Sequence, residues 1–134
     1  RDNVSALDLL PTVLEASQIN LPQSLDGISL NAYLEGKSES VTRSDPIFVL
    51  FQDQFVVIKD EWKYFSSKEI GKIWYGGRKL TWPGEIQEQP ILVNLDSDTK
   101  EIMDYSNEEP ERALRMQEAY DNWLMTIQAN LGDN

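Results

Sequence analysis

The 134 residues carry 12 Lys and Arg against 23 Asp and Glu, a formal charge of −11, with 40% hydrophobic and 10% aromatic residues. That suffices for a compact core, and the acidic balance argues against a nucleic-acid binder, whose affinity for phosphate comes from clustered cations. With no Cys and no His, disulfides, thiolate metal sites, a cysteine nucleophile and histidine acid–base chemistry are excluded within these residues.

Asp8-Leu9-Leu10-Pro11-Thr12-Val13-Leu14-Glu15-Ala16-Ser17 reads as a short helix with Pro11 in its first turn, where a missing N–H costs nothing. Leu10, Val13, Leu14 and Ser17 share a face, and Asp8 is placed to cap the free amides of that start, a commoner role for such an Asp than catalysis. Asp26-Gly27 signals a turn, after which Ser29 can cap a second short helix, Leu30 to Leu34, closed by Gly36. Residues 37 to 45 are polar and read as a linker, which suggests a first region over 1–43 and a second over 44–134.

Pro46 to Phe65 is the densest β-branched and aromatic stretch. It predicts strands at about 47–52, 55–59 and 62–66, broken at Asp53-Gln54 and Asp60-Glu61, so neighbours should pair antiparallel. Within Ser66 to Gln89, Gly76-Gly77 marks a tight turn between Lys72-Ile73-Trp74-Tyr75 and Arg78-Lys79-Leu80-Thr81-Trp82, with Tyr75 facing Arg78. Pro90 to Leu95 is a fourth strand. The Asp96 and Asp98 spacing invites a calcium-loop reading, but Lys100, Glu101 and Asn107 stand where that loop needs an oxygen ligand, Gly and Glu; a solvated turn fits better. Pro110 to about Ala129 is a long helix, with Leu114, Met116, Ala119, Tyr120, Trp123, Leu124, Ile127 and Leu131 forming an apolar face to cover the sheet. The fold class is therefore α+β, a small antiparallel sheet of about four strands against a long C-terminal helix, with an added hairpin and short N-terminal helices. No apolar run approaches a membrane span, no signal-peptide pattern opens the chain, and Arg1 in place of Met suggests a fragment or processed product.

Chemistry is sparse. No phosphate-binding glycine loop and no convincing pair of carboxylates occurs, so these residues alone do not make a complete hydrolase. From Lys59 to Lys79, six cations face three anions, a net of +3 inside a chain of −11, interleaved with Trp62, Tyr64, Phe65, Trp74 and Tyr75. Cations pair with sulfate or carboxylate and rings pack on apolar sugar faces, so the segment suits an anionic sugar. Alternation makes Trp62 and Tyr64 packing residues around a solvent-facing Lys63. For the hairpin, substrate contact through Lys72, Trp74, Arg78, Lys79 and Trp82 and a purely structural insertion both stand.

The order of motifs resembles the C-terminal part of formylglycine-dependent sulfatases of the alkaline phosphatase superfamily. It is carried by Asp8-Leu9-Leu10-Pro11-Thr12, Asp26-Gly27-Ile28-Ser29-Leu30, Leu34-Glu35-Gly36, Trp62-Lys63-Tyr64, and Leu95 to Glu101 with Asn107 and Pro110-Glu111. Thr99 replaces the family's usual Pro, Asp104-Tyr105 stands where Asn-Leu is usual, and the hairpin lies outside the common pattern. The resemblance implies an upstream α/β catalytic domain as partner, ending near residue 36, that carries the formylglycine nucleophile and a calcium ion. This chain would be its inactive C-terminal subdomain, secreted or periplasmic, supporting the fold and shaping the mouth for a sulfated carbohydrate. No catalytic or metal residue carries over, because the Cys/Ser-x-Pro-x-Arg motif is missing from these residues. A parent phosphodiesterase or phosphonate hydrolase, or an independent module for anionic polysaccharide or a protein partner, is the alternative; neither nucleic acid nor membrane is expected as a partner.

Overall fold

A computed structural model describes residues 2–22, 25–51, 54–66, 74–75, 78–79 and 90–132, without the side chains of 74–75, 78–79 and 131–132. It divides into two units, Arg1–Asp45 and Pro46–Asn134.

In the first unit a 3₁₀ turn, Ala6–Asp8, leads into α1 (Leu9–Ala16), and Pro11 in its first turn is fully buried. Asp8 does not cap α1 with its side chain, contrary to the expectation from sequence. The cap instead belongs to the preceding 3₁₀ turn, whose N-cap is Ser5, so Asp8 occupies the closing position of a capping box and its carboxylate turns back: Ser5 N donates to Asp8 Oδ2 at 2.7 Å. The same carboxylate accepts from Ile28 N at 2.9 Å and from the Arg43 guanidinium. One turn on, Thr12 Oγ1 donates to the Asp8 carbonyl at 2.6 Å and accepts from Leu30 N at 2.9 Å. Gly27 is required by close approach, since a Cβ there would sit 2.0 Å from the Leu7 carbonyl oxygen. The short helix α2 (Asn31–Leu34) begins with Asn31 N donating to Ser29 Oγ at 3.2 Å. It ends at Gly36, whose φ of +70° lets its own N–H reach the Tyr33 carbonyl and Lys37 N reach Ala32. Leu10 and Val13 are exposed, so within this unit the α1 face forms no core.

In the second unit β1 (Ile47–Phe51), β2 (Gln54–Lys59), β3 (Trp62–Phe65) and β6 (Ile91–Asn94) form an antiparallel sheet in the order β1-β2-β3-β6. Phe51 pairs with Gln54 and Lys59 with Trp62, so each connection is two residues long; Gln54 belongs to β2 rather than to the turn, and Asp60 takes φ +53°. Strands β4 (Trp74–Tyr75) and β5 (Arg78–Lys79) pair separately.

Period-two alternation gives the sheet two apolar faces. Phe55, Val57, Trp62, Tyr64 and Leu92 pack with Met116 and Tyr120 of α3 (Pro110–Gly132), and Phe48, Tyr105, Ala113, Trp123 and Leu124 close the cluster. Phe55 stacks on Tyr120 with centroids 4.1 Å apart, and Phe48 on Trp123 at 4.9 Å. The other face holds Phe65, Ile91, Val93 and Leu95. Leu114, expected in the core, is exposed: the buried stripe runs through Ala113, Met116, Tyr120, Trp123 and Leu124, and Leu114 sits one helical step off it. Among the described residues no helix is long and apolar enough to cross a membrane.

Candidate functional site

Of the basic hairpin, the structure describes the backbone around the turn. Trp74 stands opposite Lys79 and Tyr75 opposite Arg78, the register that the paired glycines predict. A cation and an aromatic ring therefore share each rung of this short ladder. Lys72 and Trp82, the other expected substrate contacts, lie outside the described residues.

The earlier part of the basic segment is scaffold. Trp62 and Tyr64 are buried on the helix-facing side, as their alternation predicts. Trp62 Nε1 donates to Glu61 Oε1 at 2.7 Å, and the Arg112 guanidinium carbon lies 4.6 Å from the Trp62 ring centroid. With its N–H engaged and Arg112 on its face, Trp62 offers no open platform for a sugar. The Tyr64 hydroxyl donates to Gln117 Oε1 at 3.2 Å, and burial, with Asp121 and Asp104 nearby, pushes its pKa up. It stays a neutral phenol, unsuited to act as a base at physiological pH. Lys63 is half-buried on the second face, in an ion pair with Glu101 and over the Phe65 ring, rather than a bare solvent position.

A cavity of about 300 Å³ opens beside Trp62, lined by Lys59, Asp60, Arg112, Arg115 and Met116 among others. Arg112 and Arg115 are the cations that strand-based reading missed. Their i, i+3 spacing on α3 was the available signal, and each already meets an acid, Glu109 at 3.3 Å and Glu111 at 3.7 Å. The turn after β6 binds its own amides: Asn94 Oδ1 accepts from Asp96 and Ser97, and Asp98 Oδ2 accepts from Ile102 and Met103. Both side chains are thus engaged as turn formers.

No family model and no curated protein matches the sequence. Solved structures do. The BT33336S-sulf protein of Bacteroides thetaiotaomicron, from a locus for metabolism of multiple glycosaminoglycans, superposes with a TM-score of 0.64 at 18% identity, over 86% of this chain and 24% of its own. A protein of Bacteroides thetaiotaomicron VPI-5482 described as a sulfatase gives 0.61 at 15%, over 95% and 26%. The fold is one found in sulfatases. A phosphonate monoester hydrolase of Agrobacterium radiobacter shares it at 0.50 and 21% identity, over 97% of this chain and 26% of its own.

The chain spans about a quarter of the length of these sulfatase-fold proteins. Among the described residues no group of Asp and Glu could hold a metal ion, and the 134 residues contain no Cys/Ser-x-Pro-x-Arg. What the described residues supply is scaffold plus a short ladder in which each rung sets an aromatic residue opposite a cationic one.

Proposed function

We propose that this chain is the C-terminal, non-catalytic portion of a sulfatase, and that its basic hairpin helps form the mouth through which a sulfated carbohydrate reaches an upstream catalytic domain. The observation that carries the reading is the superposition on sulfatases across 86 to 95% of the chain, joined to the ordered sequence motifs. The parent would hydrolyse sulfate esters with a formylglycine and a calcium ion held upstream, in a secreted or periplasmic enzyme. The sulfated carbohydrate is supported by the glycosaminoglycan locus of the first neighbour and by the cation–aromatic rungs at Trp74/Lys79 and Tyr75/Arg78. The upstream partner is supported by the exposed apolar surface of the first unit, where Val4, Leu7, Leu9, Leu10 and Val13 are each more than half exposed.

The test is Trp74→Ala and Lys79→Ala in the full-length enzyme. Turnover of a sulfated oligosaccharide should fall about tenfold in kcat/KM, with a small aryl sulfate little affected. Equal rates for wild type and variants on the oligosaccharide would remove the hairpin from the substrate path. The phosphonate hydrolase neighbour favours a second reading, a parent of phosphonate or phosphodiester specificity. Assaying the parent against both ester classes separates the two.

A further inference from the structure

The two edges of the main sheet are finished differently. Phe55's carbonyl accepts from Ser66 N at 3.1 Å, so Phe55 and Val57 turn their backbone groups toward β3. Alternation then directs Gln54, Val56 and Ile58 toward β1, where they meet Phe51, Val49 and Ile47. Carried across the sheet, the same alternation leaves Leu92 and Asn94 pointing out of the β6 edge and Phe48 and Leu50 out of the β1 edge.

The β6 edge is sealed from within. Leu92 N donates to Asp104 Oδ1 at 3.2 Å and Ser106 Oγ at 3.1 Å, the Leu92 carbonyl accepts from Tyr105 N at 2.8 Å, and Asn94's carbonyl accepts from Asp98 N at 2.9 Å. On the β1 edge, the outward N–H and C=O groups of Phe48 and Leu50 have no partner among the described residues. The strand carries none of the usual deterrents to edge pairing: Ile-Phe-Val-Leu-Phe has no charge, no Pro and no Gly, its register on β2 is unbroken by a bulge, and Val49, Leu50 and Phe51 are exposed.

We propose that β1 pairs antiparallel with β1 of a second copy of this chain, about a two-fold axis through Val49. The symmetry uses every outward group. Phe48 and Leu50 of one copy face Leu50 and Phe48 of the other as hydrogen-bonded pairs, the two Val49 side chains meet as the close non-bonded pair, and Ile47 stands opposite Phe51. Two four-stranded sheets become one of eight strands, with α3 of both copies on the same side. Charge favours a self-contact through an uncharged strip such as this one. Copies of −11 repel, and β1 is a stretch of uncharged surface on which they can meet. Association should therefore tighten as salt screens the bodies.

The experiment is sedimentation equilibrium of the 134-residue chain from low to high micromolar concentration, with amide exchange read at both ends. A reversible dimer that tightens with salt is expected, with the Phe48 and Leu50 amides protected only at high concentration and Val49 and Phe51 protected at both. Val49→Lys and Val49→Glu should each weaken the dimer about tenfold, and an equimolar mixture should recover fivefold or more of that, about the gain from exchanging a like-charge for an opposite-charge pair. A chain that stays monomeric overturns the proposal. So does a dimer in which Phe48 and Leu50 exchange freely, or protection of those amides that follows an added upstream segment instead of concentration.

Discussion

Removing Arg43 tests whether the first unit is held by its buried carboxylate. The Asp8 side chain is fully buried and that of Arg43 is 12% exposed. In Arg43→Met the carboxylate keeps the amides of Ser5 and Ile28 but loses its guanidinium. Stripping one partner from a buried ion pair costs about 3 to 5 kcal/mol. The two surviving amide bonds place the cost near the lower figure, about 3 kcal/mol, which should speed exchange at the Ile28 and Leu30 amides about a hundredfold. Burial would raise the Asp8 pKa, but hydrogen bonds from Arg43, Ile28 and Ser5 together outweigh it and hold the group below its ordinary 3.8. In wild type the contribution is therefore complete above about pH 4 and is lost as pH falls through the folded-state value. Without Arg43 the folded value moves up, so the difference between wild type and variant is widest at neutral pH and narrows in acid. Urea unfolding followed by far-UV circular dichroism, with exchange at pH 7 and in acid, reads both. An unchanged neutral midpoint, or a loss that does not vary with pH, would refute the assignment. Asp8→Asn/Arg43→Met should cost less than the sum of the singles, because the charge that suffers is gone.

Gly27→Ala drives a methyl to 2.0 Å from the Leu7 carbonyl, a backbone clash that neither side can relieve by rotation. A loss of about 3 kcal/mol, at the upper end for overpacking, should appear in thermal denaturation. Tyr120→Ala removes the ring stacked on Phe55 and should cost about 3 to 5 kcal/mol by urea titration of Trp fluorescence. Leu114→Lys should stay within about 0.5 kcal/mol while Met116→Ala loses about 2 to 5, which checks the rotation of α3 directly.

The sheet was legible because its signals are local: hydrophobic alternation and two-residue turns place β1, β2, β3 and β6 within a residue or so of where they lie. The rotation of α3 was only half legible: Leu114 invites burial by its size, yet three and four residues on from it stand Gln117 and Glu118, whereas Ala113 steps to Met116 and then Tyr120, the stripe that packs on the sheet. Asp8 shows the same divide. Sequence marks it as a helix-start residue, but whether its carboxylate caps forward or reaches back depends on Arg43 arriving from 35 residues away. The hairpin register at Tyr75 and Arg78 was readable from two glycines; what those side chains meet is a question of assembly that no local pattern encodes.

The first two motifs behind the family resemblance turn out to be one physical device. Asp8 and Thr12 of the first motif bond the amides of Ile28 and Leu30 in the second, and Gly27 exists so that the second strip of backbone can lie against Leu7. Each residue alone is common. Together they must recur at fixed order and separation, because a carboxylate, a hydroxyl and a missing Cβ have to meet partners 18 to 20 residues away. That is why order and spacing carry information that the single patterns lack. It also explains why the match speaks to the fold and not to catalysis: these residues serve the way the backbone closes on itself, which leaves the chemistry to be argued from other residues.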